Sequence, residues 1–362
     1  MPMRNCAKGA CNEPYFLGHA VVLVEVVGMT AQPSPLQAPF PYFGGKRKAA
    51  ETVWPAFGQV DNYVEPFAGS AAMLLAAPPD ATRIETINDF DGFVANFWRA
   101  LAHDPDAVAN AADWPVNEVD LMARHSWLVR HRQPITEQLC ADPAWYDARS
   151  AGWWVWGACN WIGSGWCSGD GPWVHDGTRL VRKEGDAGQG INRKLPHLSA
   201  GRGINRATAG ASRGDYIRSW FEALGERLRD VRVACGDWRR VLGSSVTVKH
   251  GLTAVFLDPP YTKGDMDYGA GGMGQGIADA VRQWCVEHGD DPLLRIVLCG
   301  HAGEHDALLD HGWVARAWKA GGGYARSDEA VANRKSETLW CSPHCIGSQP
   351  PAMPLFDEAA HV

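Results

Sequence analysis

The sequence predicts an α/β fold: a mostly parallel sheet covered by helices, closed by an antiparallel hairpin and interrupted by a largely helical insert. Three observations carry this. A strand–turn–helix–strand–helix succession runs from Asn62 to Ala102, the rhythm of a parallel sheet with crossover helices. The rhythm stops between residues 103 and 230, where the chain turns Trp-rich and then Gly/Arg-rich. It resumes with apolar, β-branched runs that end in a last pair of strands.

In chain order, Asn62-Tyr-Val64 reads as a short buried strand and Glu65-Pro-Phe-Ala-Gly-Ser70 as the turn into an Ala/Leu helix over 71–77. Arg83–Ile87 forms the second strand, ending in Asn88-Asp89. A helix over 92–102 follows, with Phe93, Phe97, Ala100 and Leu101 on one face. Strands return at Val231–Ala234, Thr253–Leu257 and Arg295–Cys299, and Val314–Trp318 pairs with Thr338–Cys341 as the closing hairpin. This gives a discontinuous α/β domain, 36–102 and 231–345, around an inserted domain, 103–230, with an N-terminal extension, 1–35, outside the core and a tail, 346–362. Within the extension, Met29 lies just upstream of Pro33, Pro35, Pro39 and Pro41, which marks 1–28 as dispensable.

At 362 residues, 46% hydrophobic and 21% charged, the composition is that of a globular chain, not of a disordered or fibrous one. The net charge of −7 hides a segment of opposite sign. Residues 179–240 hold fourteen Lys or Arg against seven Asp or Glu, a local +7, and 25 of the 34 basic residues are Arg. Arginine suits bidentate phosphate and base contacts, so one surface looks built for a polyanion. The ten cysteines form no Cys-x-x-Cys pair, and most of them read as buried, reduced thiols in a cytoplasmic protein. Neither Cys341/His344/Cys345 nor Cys159/Cys167/His175 has zinc-site spacing, so no metal is expected. The apolar run Val21–Val27 is interrupted by Glu25 and too short to span a membrane.

Asp258-Pro-Pro-Tyr261 directly follows the strand Thr253–Leu257, which places a carboxylate where open α/β sheets keep their ligands. Pro259 and Pro260 fix the backbone and remove two donors. The Asp258 carboxylate and the Pro259 carbonyl then offer one acceptor to each hydrogen of an exocyclic amine, and Tyr261 offers a flat face for a base. Upstream, Tyr42-Phe-Gly-Gly-Lys46 precedes the first strand, and Gly69 lets backbone approach a ligand at a helix N-terminus. Asp89, ending the second strand, is placed for a ribose, and Lys46 for a carboxylate.

Together, Tyr42-Phe-Gly-Gly-Lys46, Glu65-Pro-Phe-Ala-Gly-Ser70, Asn88-Asp-Phe-Asp91, Gly236-Asp-Trp238 and Asp258-Pro-Pro-Tyr261 resemble, in identity and order, the motifs of Dam-type DNA adenine-N6 methyltransferases. The resemblance covers residues 40–100 and 231–342, and the insert looks more like those of phage-borne members. It implies a Rossmann-like catalytic domain with an inserted target-recognition domain, S-adenosylmethionine as cofactor and double-stranded DNA as partner. Tyr42 and Lys46 would hold the methionine end, Asp89 the ribose, and Asp237 with Trp238 the adenine. Glu65, Pro66, Phe67 and Gly69 would complete the cofactor site, and Asp258, Pro259, Pro260 and Tyr261 the catalytic one. The implied reaction is base flipping followed by direct transfer. Cytosine-N4 methylation and a non-catalytic DNA-binding relative are the alternatives; absence of a Pro-Cys dipeptide speaks against ring-carbon methylation. A monomer or weak dimer and a cognate restriction endonuclease accompany this expectation.

Two further features are weighed differently. Gly269-Ala-Gly-Gly-Met-Gly274 matches a dinucleotide fingerprint but lies in a loop, as does Gly321-Gly-Gly323 in the closing hairpin. Seven tryptophans between 145 and 173 read mainly as core. Arg193, Lys194, Arg202, Arg206 and Arg213, set among Gly and Ser, are the candidate DNA contacts.

Overall fold

The computed structural model describes residues 36–42, 46–161, 165–167, 173–175, 180–182, 203–205, 212–260, 274–318 and 337–348, all within one compact unit, 35–362. Its strands are β1 (Asn62–Glu65), β2 (Ile84–Asp89), β3 (Trp173–His175), β4 (Leu180–Arg182), β5 (Arg232–Cys235), β6 (Thr253–Leu257), β7 (Leu294–His301), β8 (Val314–Ala317) and β9 (Glu337–Cys341). Its helices are α1 (Ala50–Phe57), α2 (Ala72–Leu75), α3 (Gly92–His103), α4 (Pro105–Ala112), α5 (Glu118–Ala141), α6 (Ala148–Asn160), α7 (Arg213–Leu228) and α8 (Gly274–His288).

Seven strands form the main sheet in the order β5-β2-β1-β6-β7-β9-β8, while β3 and β4 pair with each other. The first five positions are parallel. β9 lies antiparallel between β7 and β8, so the expected closing hairpin is present and its second strand is the inner one. β1 and β6 are buried along their whole length, as strands covered on both faces must be. Their side chains alternate between two cores. Tyr63, Ala254 and Phe256 join α1, α3 and the helices of the insert, whereas Val64, Val255 and Leu257 join Val281 and Cys285 of α8.

The helix expected over 71–77 shrinks to the single turn of α2. Ala71 stands in the left-handed region (φ 49°), and Pro78-Pro79 ends the helical run. α3 begins where Asp91 accepts a hydrogen bond from Phe93 N at 2.8 Å, an N-cap. The helices of the insert do not form a core of their own. Val108, Leu121, Trp156 and Phe221 share one apolar cluster with Phe97 and Tyr63. Buried Arg99 of α3 fastens this junction, donating to the carbonyls of Val233, Leu139, Asp142 and Trp145.

Of the Trp-rich stretch, Trp154, Trp156 and Trp161 are buried and Trp145, Trp153 and Trp166 partly so. The Arg124 guanidinium lies over the rings of Trp156, Trp114 and Trp153. Asn205 Nδ2 donates to Asn160 Oδ1 at 2.7 Å, and Ile204 N to Pro39 O at 3.0 Å. The stretch after α6 therefore leaves and rejoins the scaffold at one place. Among the described cysteines seven are buried, and Cys140, in the last turn of α5, is exposed.

Residues 1–35, 349–362, the basic stretch with Arg193, Lys194, Arg202 and Arg206, Tyr261, and both glycine-rich loops (apart from Gly274, which opens α8) lie outside the described residues. No described helix is long and apolar enough to cross a membrane.

Candidate active site

The chain runs β1, β2, β5 outward on one side of the sheet and β6, β7 on the other, so the topological switch point lies between β1 and β6. Open α/β sheets bind ligands at the carboxyl ends of strands flanking such a point. Glu65, Asp89 and Asp258 all stand there, at or just past the ends of β1, β2 and β6.

Between β1 and α2 the chain makes a tight turn pinned from several sides. Gly69 takes φ 47°, and a Cβ there would overlap the ring of Tyr42. Its N–H donates to Asp89 Oδ2 at 2.8 Å, and its carbonyl accepts from Trp98 Nε1 at 2.8 Å. Asp89 Oδ1 accepts from Asp91 N, also at 2.8 Å. The glycine is thus required both for its backbone conformation and for the closeness of Tyr42.

Asn88, beside Asp89, is buried and ties two loops together. Its Nδ2 donates to Pro66 O and to Gly236 O, each at 3.0 Å. The loop after β1 and the loop after β5 are thereby fixed to one another. In the second loop Asp237 is exposed and accepts from Arg239 N at 2.9 Å. Trp238 is buried, with its ring 6.0 Å from that of Phe67.

Lys46 is 4% exposed, with Nζ 3.3 Å from Asp258 Oδ1 and 3.5 Å from Glu337 Oε2. Burial alone would lower its pKa. The negative charge around it, Asp258 foremost, outweighs this and holds the ammonium above its ordinary range. Burial raises Glu337. Glu65 is more deeply set: its Oε2 accepts from Tyr63 OH at 2.9 Å and from Leu74 N at 3.2 Å. Burial pushes its carboxyl up to about 8, so it carries a proton at neutral pH. Asp89 is pushed up to about 7, by burial first and then by Asp91.

The structure thus gathers Tyr42, Lys46, Glu65, Phe67, Gly69, Asp89, Trp238 and Asp258 around the ends of β1, β2, β5 and β6, with Pro66 held through its carbonyl and Asp237 on the solvent side. Asp258 continues into Pro259 and Pro260. Arg213 is placed elsewhere: at the start of α7 its guanidinium donates to Asp113 Oδ1 at 2.8 Å and to Trp114 O at 2.6 Å. Residues that sequence reasoning missed are Asn88, Glu337, Trp98 and Phe90, the last a 55% exposed ring beside Asp89. Asn88 was visible within Asn88-Asp-Phe-Asp91; Glu337 gave no signal before β9 was known to lie beside β7.

The donor set suits a nucleoside joined to a cationic group. Carboxylates at Asp89 and Asp237 match hydroxyls and amines, the Phe67/Trp238 pair and exposed Phe90 match a base, and the cluster around Asp258 favours positive charge. Among the described residues no group of His, Cys, Asp and Glu could hold a metal ion.

A mostly parallel seven-stranded sheet with an antiparallel closing hairpin, bearing such a site at its switch point, is a Rossmann-like methyltransferase fold. Residues 42–131 match the family model of the D12 class N6 adenine-specific DNA methyltransferases, which supports a Dam-type adenine methyltransferase acting on DNA. No curated protein matches the chain.

Proposed function

We propose that the protein is a site-specific DNA methyltransferase that transfers a methyl group from S-adenosylmethionine to the N6 amino group of adenine in double-stranded DNA. The observation that carries this reading is the ion pair of Lys46 with Asp258 at the switch point, beside the Asp89–Gly69 turn. When bound, the cofactor supplies an electrophilic methyl group on a sulfonium, so little covalent chemistry is asked of the protein.

Tyr42 and Lys46 line the methionine end, Asp89 accepts from the ribose hydroxyls, and Asp237 with Trp238 and Phe67 holds the adenine, with Phe90 covering it. Asp258 and the Pro259 carbonyl accept the two amine hydrogens of the target base, aiming the nitrogen lone pair. Lys46 holds Asp258 in place. Orientation of this kind is worth several orders of magnitude in rate. The target base must leave the duplex stack, because its amine is otherwise engaged in pairing; Tyr261 stacks on it. Pro260 locks the turn. The basic stretch carrying Arg193, Lys194, Arg202 and Arg206 tracks the phosphates. We place the enzyme in the cytoplasm as a monomer or weak dimer, in a restriction-modification or phage setting.

The test is incubation with unmethylated DNA and S-adenosylmethionine, followed by nucleoside mass spectrometry. N6-methyladenine is expected. N4-methylcytosine would overturn the base assignment, and no methylated base at all would overturn the activity.

A further inference from the structure

One contact between the insert and the cofactor side of the fold runs through a charged side chain. Arg132, on α5, donates through Nε and Nη2 to the carbonyl of Cys167 at 3.1 and 3.0 Å. The same Nη2 lies 3.3 Å from Asp91 Oδ2, and the guanidinium sits over the ring of Phe93. Asp91 is the N-cap of α3, and its N–H holds Asp89. Two residues beyond Asp89, in other words, the chain is bonded to a segment of the insert.

That segment is held under strain. Cys167 takes φ 57°, uncommon for a residue with a side chain. Its carbonyl is committed to Arg132, and its N–H donates to His125 Nδ1 at 3.3 Å. His125 is buried and stacked on Trp161, and burial lowers its pKa to about 4, so the ring is neutral and able to accept. Next to it, Trp166 donates to Trp154 O at 3.0 Å and occupies the space a side chain at Gly157 would need. A strained backbone persists only where its surroundings overdetermine it, and Arg132 supplies two of the bonds that do so here. Each Asp89 oxygen accepts one backbone N–H and keeps a further lone pair for a ribose hydroxyl.

We infer that Arg132 is a positioning residue that couples cofactor occupancy at the Asp89–Asp91 turn to the placement of the Trp166–Cys167 segment of the insert. The inference rests on the proposed cofactor reading. Ribose binding to Asp89 stiffens the turn, Asp91 and Arg132 transmit this, and the insert is set for its substrate. By linkage, a correctly seated insert strengthens cofactor binding by the same factor.

The experiment reads the Cys167 thiol in the full chain. Cys167 is fully buried and burial raises its pKa, so alkylation requires the segment to open. Alkylation by N-ethylmaleimide is followed by peptide mass spectrometry with and without S-adenosylhomocysteine, whose binding is measured by calorimetry. Cys285, buried in the opposite core, reports global unfolding. In the wild type the ligand should slow Cys167 alkylation at least about threefold. Arg132→Gln should speed it about tenfold, leave Cys285 protected and abolish the effect of the ligand. Should Arg132→Gln release Cys285 as well, Asp91→Asn decides: it keeps an N-cap and removes the charge, and the ligand effect should be lost.

A plain structural bolt would give faster alkylation with the ligand effect intact, and that outcome overturns the coupling. Unchanged alkylation in Arg132→Gln, or a persistent ligand effect in Asp91→Asn, does the same. Wild type that binds the ligand without slowing Cys167 sinks this inference alone. Wild type that binds no ligand sinks the cofactor reading and this inference with it.

Discussion

The Nζ of Lys46, ahead of the first strand, lies 3.3 Å from Oδ1 of Asp258, past the end of β6. Two segments far apart in sequence are joined by one ion pair at the switch point of the sheet. Because Lys46 is almost fully buried, the pair is screened little by solvent.

Removing the cation should therefore cost both stability and turnover. Lys46→Met takes away the cation that lies between Asp258 and Glu337. A loss of about 1–3 kcal/mol is expected, discounted because both carboxylates are partly exposed. Turnover should fall about 100-fold through misplacement of Asp258. Glu337→Gln keeps the Lys46–Asp258 pair and should lower turnover by less than about tenfold. Urea unfolding and a methylation assay decide; equal loss in both variants would contradict the assignment of Asp258 as the working partner.

Glu65 predicts a pH dependence of stability. Burial raises its carboxyl from the ordinary 4.5 to about 8, so between these values the folded chain keeps a proton the unfolded chain has released. The contribution is full below about 4.5 and is lost as pH rises through 8, amounting to a few kcal/mol. Glu65→Gln, neutral at every pH, should flatten the fall in urea midpoint between about pH 5.5 and 8.5. A variant with the same slope as wild type would show that Glu65 is not the group responsible.

At Gly69 the expected result follows from backbone and space together. Gly69→Ala forces a side chain into the left-handed region and against Tyr42. A cost of about 1–2 kcal/mol is expected, with at least tenfold weaker S-adenosylhomocysteine binding by calorimetry. Unaltered binding would place the cofactor away from this turn.

The basic residues of the insert should separate by salt dependence. Replacing Arg193, Lys194, Arg202 or Arg206 by Ala should each reduce the slope of log affinity against log salt by about one. Arg213, whose guanidinium is already bound to Asp113, should leave the slope unchanged. A drop of one for Arg213→Ala would mean that it exchanges Asp113 for phosphate.

How much of this was legible can be judged from particular residues. The strand Thr253–Leu257 is found at the expected bounds, because a continuous apolar run stopped by two prolines admits little else. The motifs from Tyr42 to Asp258 were visible because each sets charged and aromatic residues close together, most of them beside glycine or proline. Their convergence was implied by the resemblance alone; in the fold it depends on β6 pairing with β1 across a long excursion. Glu337 and Arg132 escaped notice for the same reason: each lies in an ordinary polar run and gains its partners only through tertiary contact. That the helices of the insert bury against α3 was not legible in sequence, since Trp-rich helices that alternate with glycines do not disclose their partner.

The bond between Asn205 and Asn160 brings the two ends of the intervening stretch to one place on the framework, and near its start Trp166 and Cys167 are bonded to Trp154, Arg132 and His125. Its length can change without moving either anchor, and loop-closure entropy grows by only about 0.6 kcal/mol per doubling. Such a stretch behaves as an exchangeable cassette. On the proposed reading, recombination or drift beyond Cys167 would rewrite which sequence is read while the sheet, the Lys46–Asp258 pair and the pinned turn at Gly69 stay as they are, so that new specificities would arise on an unaltered engine.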